Sequence, residues 1–205
     1  MTLEERLSKM LTCSDGFHEW EINREDLLDG YYTVLQMKDS IEDELNKQPQ
    51  RVMIDTRDHL QFFRANAKGD VLEIGSDVGN STSAFLLGVE EKGGSVTSID
   101  INPKCAENFP CNNKWTFILG SSQSPEIRQR FVGRMFDVLY VDGDHSYAGI
   151  KNDLSYAEFV RPGGLILVHD VLASYFPGVR QAFDEVNFGT KSILPGSWGL
   201  GVIYK

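Results

Sequence analysis

From residue 70 onward, short apolar runs alternate with longer stretches that are apolar on one side only. The runs at 71–74, 96–99, 115–119, 136–141 and 165–168 are rich in Val, Ile, Leu and Phe and predict five buried strands. Between them the spacing predicts helices over 81–92, 103–109, 125–132 and 147–160, with another over 179–188. Gly93-Gly94 ends the first of these. Tyr147, Ile150, Leu154 and Ala157 share one face of the fourth. Pro162-Gly163-Gly164 reads as a tight turn before the fifth strand. Residues 192–194 and 200–204 read as a closing hairpin around Pro195-Gly196-Ser197. Strand-helix-strand units with short links predict an α/β fold: a doubly wound, mostly parallel seven-stranded sheet with a C-terminal antiparallel hairpin.

The first fifty residues differ. Within 26–46, Leu27, Leu28, Tyr31, Val34, Leu35, Ile41 and Leu45 recur at loosely helical spacing, and Pro49 breaks the pattern. A further helix is expected over 55–67, with Leu60, Phe63 and Ala67 on one side. The chain therefore divides into a helical N-terminal extension, 1–50, and a domain over 51–205. The extension is read first as a cover for the sheet or a contact with a second copy of the chain, and second as a lid over a substrate.

Composition narrows the partners. Hydrophobic residues make up 41% of the 205 and charged residues 24%, enough for a real core. Twenty basic against thirty acidic residues give a net charge of -10. No Lys/Arg cluster offsets it, so a phosphate backbone would be repelled and nucleic acid is not expected. Cys13, Cys105 and Cys111 match no zinc spacing and are read as free thiols of a reducing compartment. Residues 1–11 are charged and lack an apolar signal core, and no apolar run could span a bilayer, so a cytoplasmic location away from membranes is expected.

Parallel sheets bind ligands beyond the carboxyl ends of their strands, at the point where the winding reverses. The polar residues gather there. Glu73, Gly75 and Gly79 follow the first strand and Asp100 ends the second; Ser121 and Ser122 follow the third. Asp142, Asp144 and His145 follow the fourth, and His169 and Asp170 the fifth. The glycines suit close approach of backbone to a ligand. Asp77 stands where a dinucleotide loop would carry its second glycine, and its charge would repel a pyrophosphate. Asp100, 21 residues beyond Gly79, suits the paired hydroxyls of a ribose, a need that several adenosine cofactors share.

From residue 70 to about 171 the chain resembles the class I S-adenosylmethionine-dependent methyltransferases, within them the branch of cephalosporin-hydroxylase-like and macrolide sugar O-methyltransferases. The most specific signal is Asp142-Gly143 with His145 and Tyr147, followed by Arg161-Pro162-Gly163-Gly164 and His169-Asp170. The resemblance implies a Rossmann-like methyltransferase sheet. It implies that Glu73, Gly75, Ser76 and Gly79 hold the methionine part of S-adenosylmethionine, with Ser81 and Thr82 at the helix start counted among the cofactor residues. Asp100 would take the ribose, Ile101 would lie beside the adenine, and Ser121 and Ser122 near its edge. Asp142 would face the sulfonium. In metal-dependent members, acids at the positions of Asp142 and Asp170 hold magnesium and a histidine at that of His145 serves as base. His169 departs from the pattern by standing where some members carry a second acid, and it suits manganese, iron or zinc better than magnesium.

These residues predict O-methylation of a small hydroxylated acceptor. His145 has the intrinsic pKa for a general base, and a divalent ion on Asp142, Asp170 and His169 would acidify the hydroxyl. Transfer to nitrogen without metal, a nicotinamide-dependent oxidoreductase and a cofactor-binding protein without turnover are the alternatives. His18 and His59 are read as surface residues and Trp198 as packing.

Overall fold

The computed structural model describes residues 56–103, 105–106 and 112–205. The extension over 1–50, His18, Cys13, Cys111 and most of the helix expected over 103–109 lie outside these residues; of that helix, 105 and 106 are helical. A short 3-10 turn, Arg57–His59, leads into α1, Leu60–Asn66. Then come β1 (Gly69–Ile74), α2 (Asn80–Lys92), β2 (Gly94–Asp100) and β3 (Trp115–Leu119). The chain continues through α3 (Pro125–Gln129), β4 (Phe136–Val141), α4 (Tyr147–Leu154) and β5 (Val160–Val168). It closes with α5 (Pro177–Asp184), β6 (Thr190–Leu194) and β7 (Leu200–Tyr204).

The seven strands form one sheet in the order β3-β2-β1-β4-β5-β7-β6. The first five run parallel, and β7 pairs antiparallel with both β5 and β6. The winding reverses between β1 and β4, so the ligand crevice expected of such sheets opens there. Alternation along the strands sends side chains to two cores. Val71, Val138 and Tyr140 pack with Phe63 and Phe85 on the side of α1 and α2. Leu72, Ile74, Leu139 and Val141 pack with Ile127, Ile150 and Val179 on the side of α3, α4 and α5.

Local chemistry fixes the helix starts. Ser124 accepts from the Ile127 amide and Pro125 occupies the first turn of α3. Ser146 accepts from the Gly149 amide at 3.0 Å to open α4. Several expected boundaries move. The helix expected over 125–132 ends at Gln129. The one expected over 147–160 ends at Leu154 and continues as a 3-10 turn, Ser155–Phe159. The last helix begins at Pro177 and ends at Asp184 rather than running to 188. Pro162-Gly163-Gly164 is not a turn outside the sheet. It lies within β5, opposite an irregularity between Phe136 and Val138, because the Gly163 amide donates to the Lys205 carbonyl and the Lys205 amide to Gly164. No helix of the described residues is long and apolar enough to cross a membrane.

Candidate active site

The turn after β1 is held from beneath by Glu73. That side chain is fully buried and accepts from the hydroxyls of Ser81 (2.6 Å), Thr82 (2.6 Å) and Ser98 (2.5 Å). Burial pushes its carboxyl up to about 7, against the pull of those three bonds. Glu73, Ser81 and Thr82 thus support the turn from the interior, and their oxygens are engaged with one another. Above them, Gly75 has a φ of 87°, and a Cβ there would come within 2.1 Å of the Asp142 carbonyl oxygen. Only a glycine lets the turns after β1 and β4 approach so closely. Gly79, also left-handed, opens α2.

Asp100 fastens this turn to β2. One of its oxygens accepts from the Ser76 amide (2.7 Å), the Asp77 amide (2.8 Å) and the Ser76 hydroxyl; the other accepts from the Asn102 amide (2.7 Å). Asp77 takes a φ of 40°, rare for a residue with a side chain. Ile101 beside Asp100 is an exposed apolar side chain, 76% open to solvent. After β3, Ser121 accepts from the Gln123 amide, and Ser122 donates to buried Asp153 at 2.6 Å. The Tyr156 hydroxyl donates to the Ser122 carbonyl, tying that turn to the segment after α4.

Past β4 and β5 two carboxylates meet two imidazoles. His145 Nε2 lies 2.7 Å from Asp170 Oδ2 and 3.4 Å from Asp142 Oδ1. His169 Nδ1 lies 3.1 Å from Asp170 Oδ1 and 3.5 Å from Asp142 Oδ1. Burial alone would lower the pKa of both histidines. The bonds and charges of Asp142 and Asp170 outweigh it, pushing His145 up to about 10 and His169 well above its usual range. Asp142 and Asp170 are held below the ordinary carboxylate range: burial opposes this, and the two histidines overcome it. One ligand atom each from Asp142, His169 and Asp170 lie within 4.8 Å of one another. Asp170 has a φ of 62°, a backbone strain of the kind concentrated at functional sites.

Three neighbours carry no strong sequence signal. Tyr140 donates to Asp142 Oδ2 at 2.7 Å. Its place two residues before Asp142 on a strand is the one hint, since the two side chains then share a face. Phe176 stacks on His145, with centroids 4.4 Å apart. His59 corrects an expectation: it is 2% exposed, not a surface residue. Its ring meets His169 edge-on at 5.7 Å, and its Nε2 bonds the Pro195 carbonyl at 3.2 Å. Burial and the charge of His169 lower its pKa. Trp198, read from the sequence as packing, lies at the surface. It is 47% exposed and meets Tyr175 at 5.5 Å.

Residues 72–171, just under half of the chain, match the model of a family described as a methyltransferase domain. No curated protein matches. Among solved structures, the O-methyltransferase from Bacillus cereus in complex with SAH is 18% identical, with a TM-score of 0.61 over 84% of this chain and 94% of that one. A TDP-rhamnose 3′-O-methyltransferase of calicheamicin biosynthesis is 16% identical, with a TM-score of 0.57 over 98% of this chain and 92% of that one. The Methanococcus jannaschii fibrillarin, a pre-rRNA processing protein, is 16% identical, with a TM-score of 0.53 over 69% and 68%. The chain shares their fold, a Rossmann-like methyltransferase sheet.

Proposed function

Taking the methyltransferase domain of residues 72–171 as the premise, we propose that this chain transfers the methyl group of S-adenosylmethionine to a hydroxyl oxygen of a small acceptor. The observation that carries this reading is the meeting of Asp142, His145, His169 and Asp170 beside the glycine turn, at the reversal point of the sheet. Solved structures of O-methyltransferases with the same fold lend it support.

The residues suit the cofactor. Gly75, Ser76 and Gly79 form the turn against which its methionine part would lie, with Glu73, Ser81 and Thr82 as the support below. Asp100 would meet the ribose, exposed Ile101 would cover the adenine, and Ser121 and Ser122 would border its edge. Asp77, Asp100 and Asp142 surround the crevice with negative charge, which suits a sulfonium. When bound, the sulfonium supplies an electrophilic methyl group, so the protein has to align the acceptor and help its proton leave.

The donor set also suits a divalent ion. Two carboxylates and two protonated imidazoles balance in charge, and one divalent cation can take the place of the two protons. Asp142, Asp170 and His169 would hold it, and it would lower the pKa of an acceptor hydroxyl. The two carboxylates fit magnesium; the imidazole favours manganese, iron or zinc. With such an ion held, His145 would be free of its proton and would serve as the base for the acceptor hydroxyl, its ring kept in place by stacked Phe176.

A nicotinamide oxidoreductase is disfavoured because the Ser76 and Asp77 amides, which a pyrophosphate would need, already donate to Asp100. A net charge of -10 disfavours the RNA processing named for fibrillarin. N-methylation without metal is separated from the preferred reading by the effect of a chelator. The direct test is calorimetry with S-adenosylhomocysteine, followed by transfer of labelled methyl to a panel of hydroxylated acceptors with and without divalent ions. Absence of heat with that ligand would refute the reading.

A further inference from the structure

A run of rings leads away from His145. Phe176 stacks on its imidazole at 4.4 Å with the planes 23° apart, and Tyr175 meets Phe176 at 6.5 Å. Trp198, from the turn between β6 and β7, meets Tyr175 at 5.5 Å and 61°. Towards its outer end the run is open: Tyr175 is 72% and Trp198 47% exposed, and Leu172 beside them 49%. Large apolar side chains gathered in this way are uncommon on a protein surface without a ligand or partner.

The placement is fixed by backbone. The Leu172 amide donates to the Trp198 carbonyl at 2.8 Å and the Val171 amide to Gly199. On the other side of the same turn, the Asp58 amide donates to the Ser197 hydroxyl and the Ser197 amide to Asp58 Oδ2, both at 3.0 Å. Ser197 and Trp198 take φ values of 37° and 63°, so this turn holds two side-chain-bearing residues in the left-handed region. A turn so tied presents its tryptophan in a defined direction.

Charge selects the ligand. Lys151 and Arg180 sit on the helices that flank this segment, α4 and α5. Lys151 pairs with Glu185 at 3.1 Å and Arg180 with Asp184 at 2.7 Å. Asp58 accepts from the Ser197 amide beside Trp198, and Asp142 and Asp170 flank His145 at the other end of the run. A diphosphate or carboxylate handle on the acceptor would meet a carboxylate at either end of the run.

The geometry points to Tyr175 and Trp198 as a ledge that binds the ring of an uncharged acceptor, a neutral phenol or the C–H face of a sugar, and directs its hydroxyl toward His145. The assignment rests on the methyl-transfer reading for the role of His145; the ledge itself can be tested without turnover. Ring stacking on an aromatic side chain supplies the affinity, and the acidic surroundings exclude anionic relatives.

The experiment is equilibrium dialysis of the full chain with 4-hydroxybenzamide, its anionic counterpart 4-hydroxybenzoate, and methyl β-D-glucopyranoside. The proteins are the wild type, Tyr175→Ala, Trp198→Ala and, as a control, Tyr204→Ala, an exposed aromatic at the opposite end of the sheet. Binding of S-adenosylhomocysteine is measured in parallel, so failure of the cofactor reading registers separately from failure of the ledge. We expect a neutral ring to bind, with Kd rising about fivefold or more in Tyr175→Ala and Trp198→Ala and unchanged in Tyr204→Ala. 4-Hydroxybenzoate should bind more weakly than the amide. The neutral compound that binds identifies the source as phenol or sugar. Binding of neither neutral ring, equal binding in all four proteins, or tighter binding of the benzoate would overturn the assignment. A fall in melting temperature of Trp198→Ala with unchanged ring binding would do so too.

Discussion

His145 Nε2 stands 2.7 Å from Asp170 Oδ2, and this bond joins the turn after β4 to the turn after β5. It places a titratable ring between two carboxylates that are themselves below the usual carboxylate range. In the metal-free protein His145 therefore holds its proton up to about pH 10.

The first prediction follows from that proton. A divalent ion on Asp142, His169 and Asp170 competes with protons on the histidines, so binding at pH 7.5 should release protons. Calorimetric titration with Mn²⁺ in buffers of different ionisation enthalpy reads the number released. Asp170→Asn should weaken the ion about tenfold or more. Binding with no proton release would contradict the exchange.

His145→Ala should leave affinity for S-adenosylhomocysteine unchanged, because its neighbours are Phe176 and the two aspartates and not the turn after β1 proposed to hold the cofactor. Methyl transfer should fall by roughly 10²–10⁴-fold, the range typical of a lost general base. Steady-state rates across pH with a metal-loaded protein check this; an unchanged rate removes His145 from the chemistry.

Gly75→Ala should lose cofactor binding and stability together. Its φ of 87° disfavours any side chain, and the new methyl would meet the Asp142 backbone at 2.1 Å. The two turns must separate to admit it, at a cost on the order of 1–3 kcal/mol. Thermal melting with and without S-adenosylhomocysteine measures both effects.

Glu73 makes stability depend on pH. Its folded-state pKa of about 7 lies above its unfolded value, so the folded chain binds the extra proton between roughly pH 4.5 and 7. The contribution is complete below about 4.5 and is lost as pH rises through 7. A shift of this size corresponds to on the order of 3 kcal/mol. Glu73→Gln should flatten that slope and be less costly at pH 8 than at pH 5, as chemical denaturation at the two pH values would reveal.

The strands were legible because buried parallel strands are written as short apolar runs, and 115–119 and 136–141 have the limits of β3 and β4. The extent of β5 was not legible, because Gly163 and Gly164 join the sheet through Lys205, a partner some forty residues away along the chain. The cluster of Asp142, His145, His169 and Asp170 was readable because each follows a strand end, and strand ends share one edge. His59 carried no such mark. Its partners include the Pro195 carbonyl, 136 residues later, and the ring of His169, both brought to it by the fold. Glu73 shows another limit: a carboxylate at the end of a strand can point inward, and only the hydroxyls of Ser81, Thr82 and Ser98 reveal that it does.

The turn over 195–199 grips Asp58 on one flank and Leu172 on the other, while Pro195 anchors His59. Its length therefore sets how far apart Asp58 and Leu172 stand. On the proposed reading, adding or removing a residue there would retune which acceptors enter while leaving Asp142, Asp170 and the turn after β1 intact, which makes this hairpin tip a natural dial for altering selectivity by design.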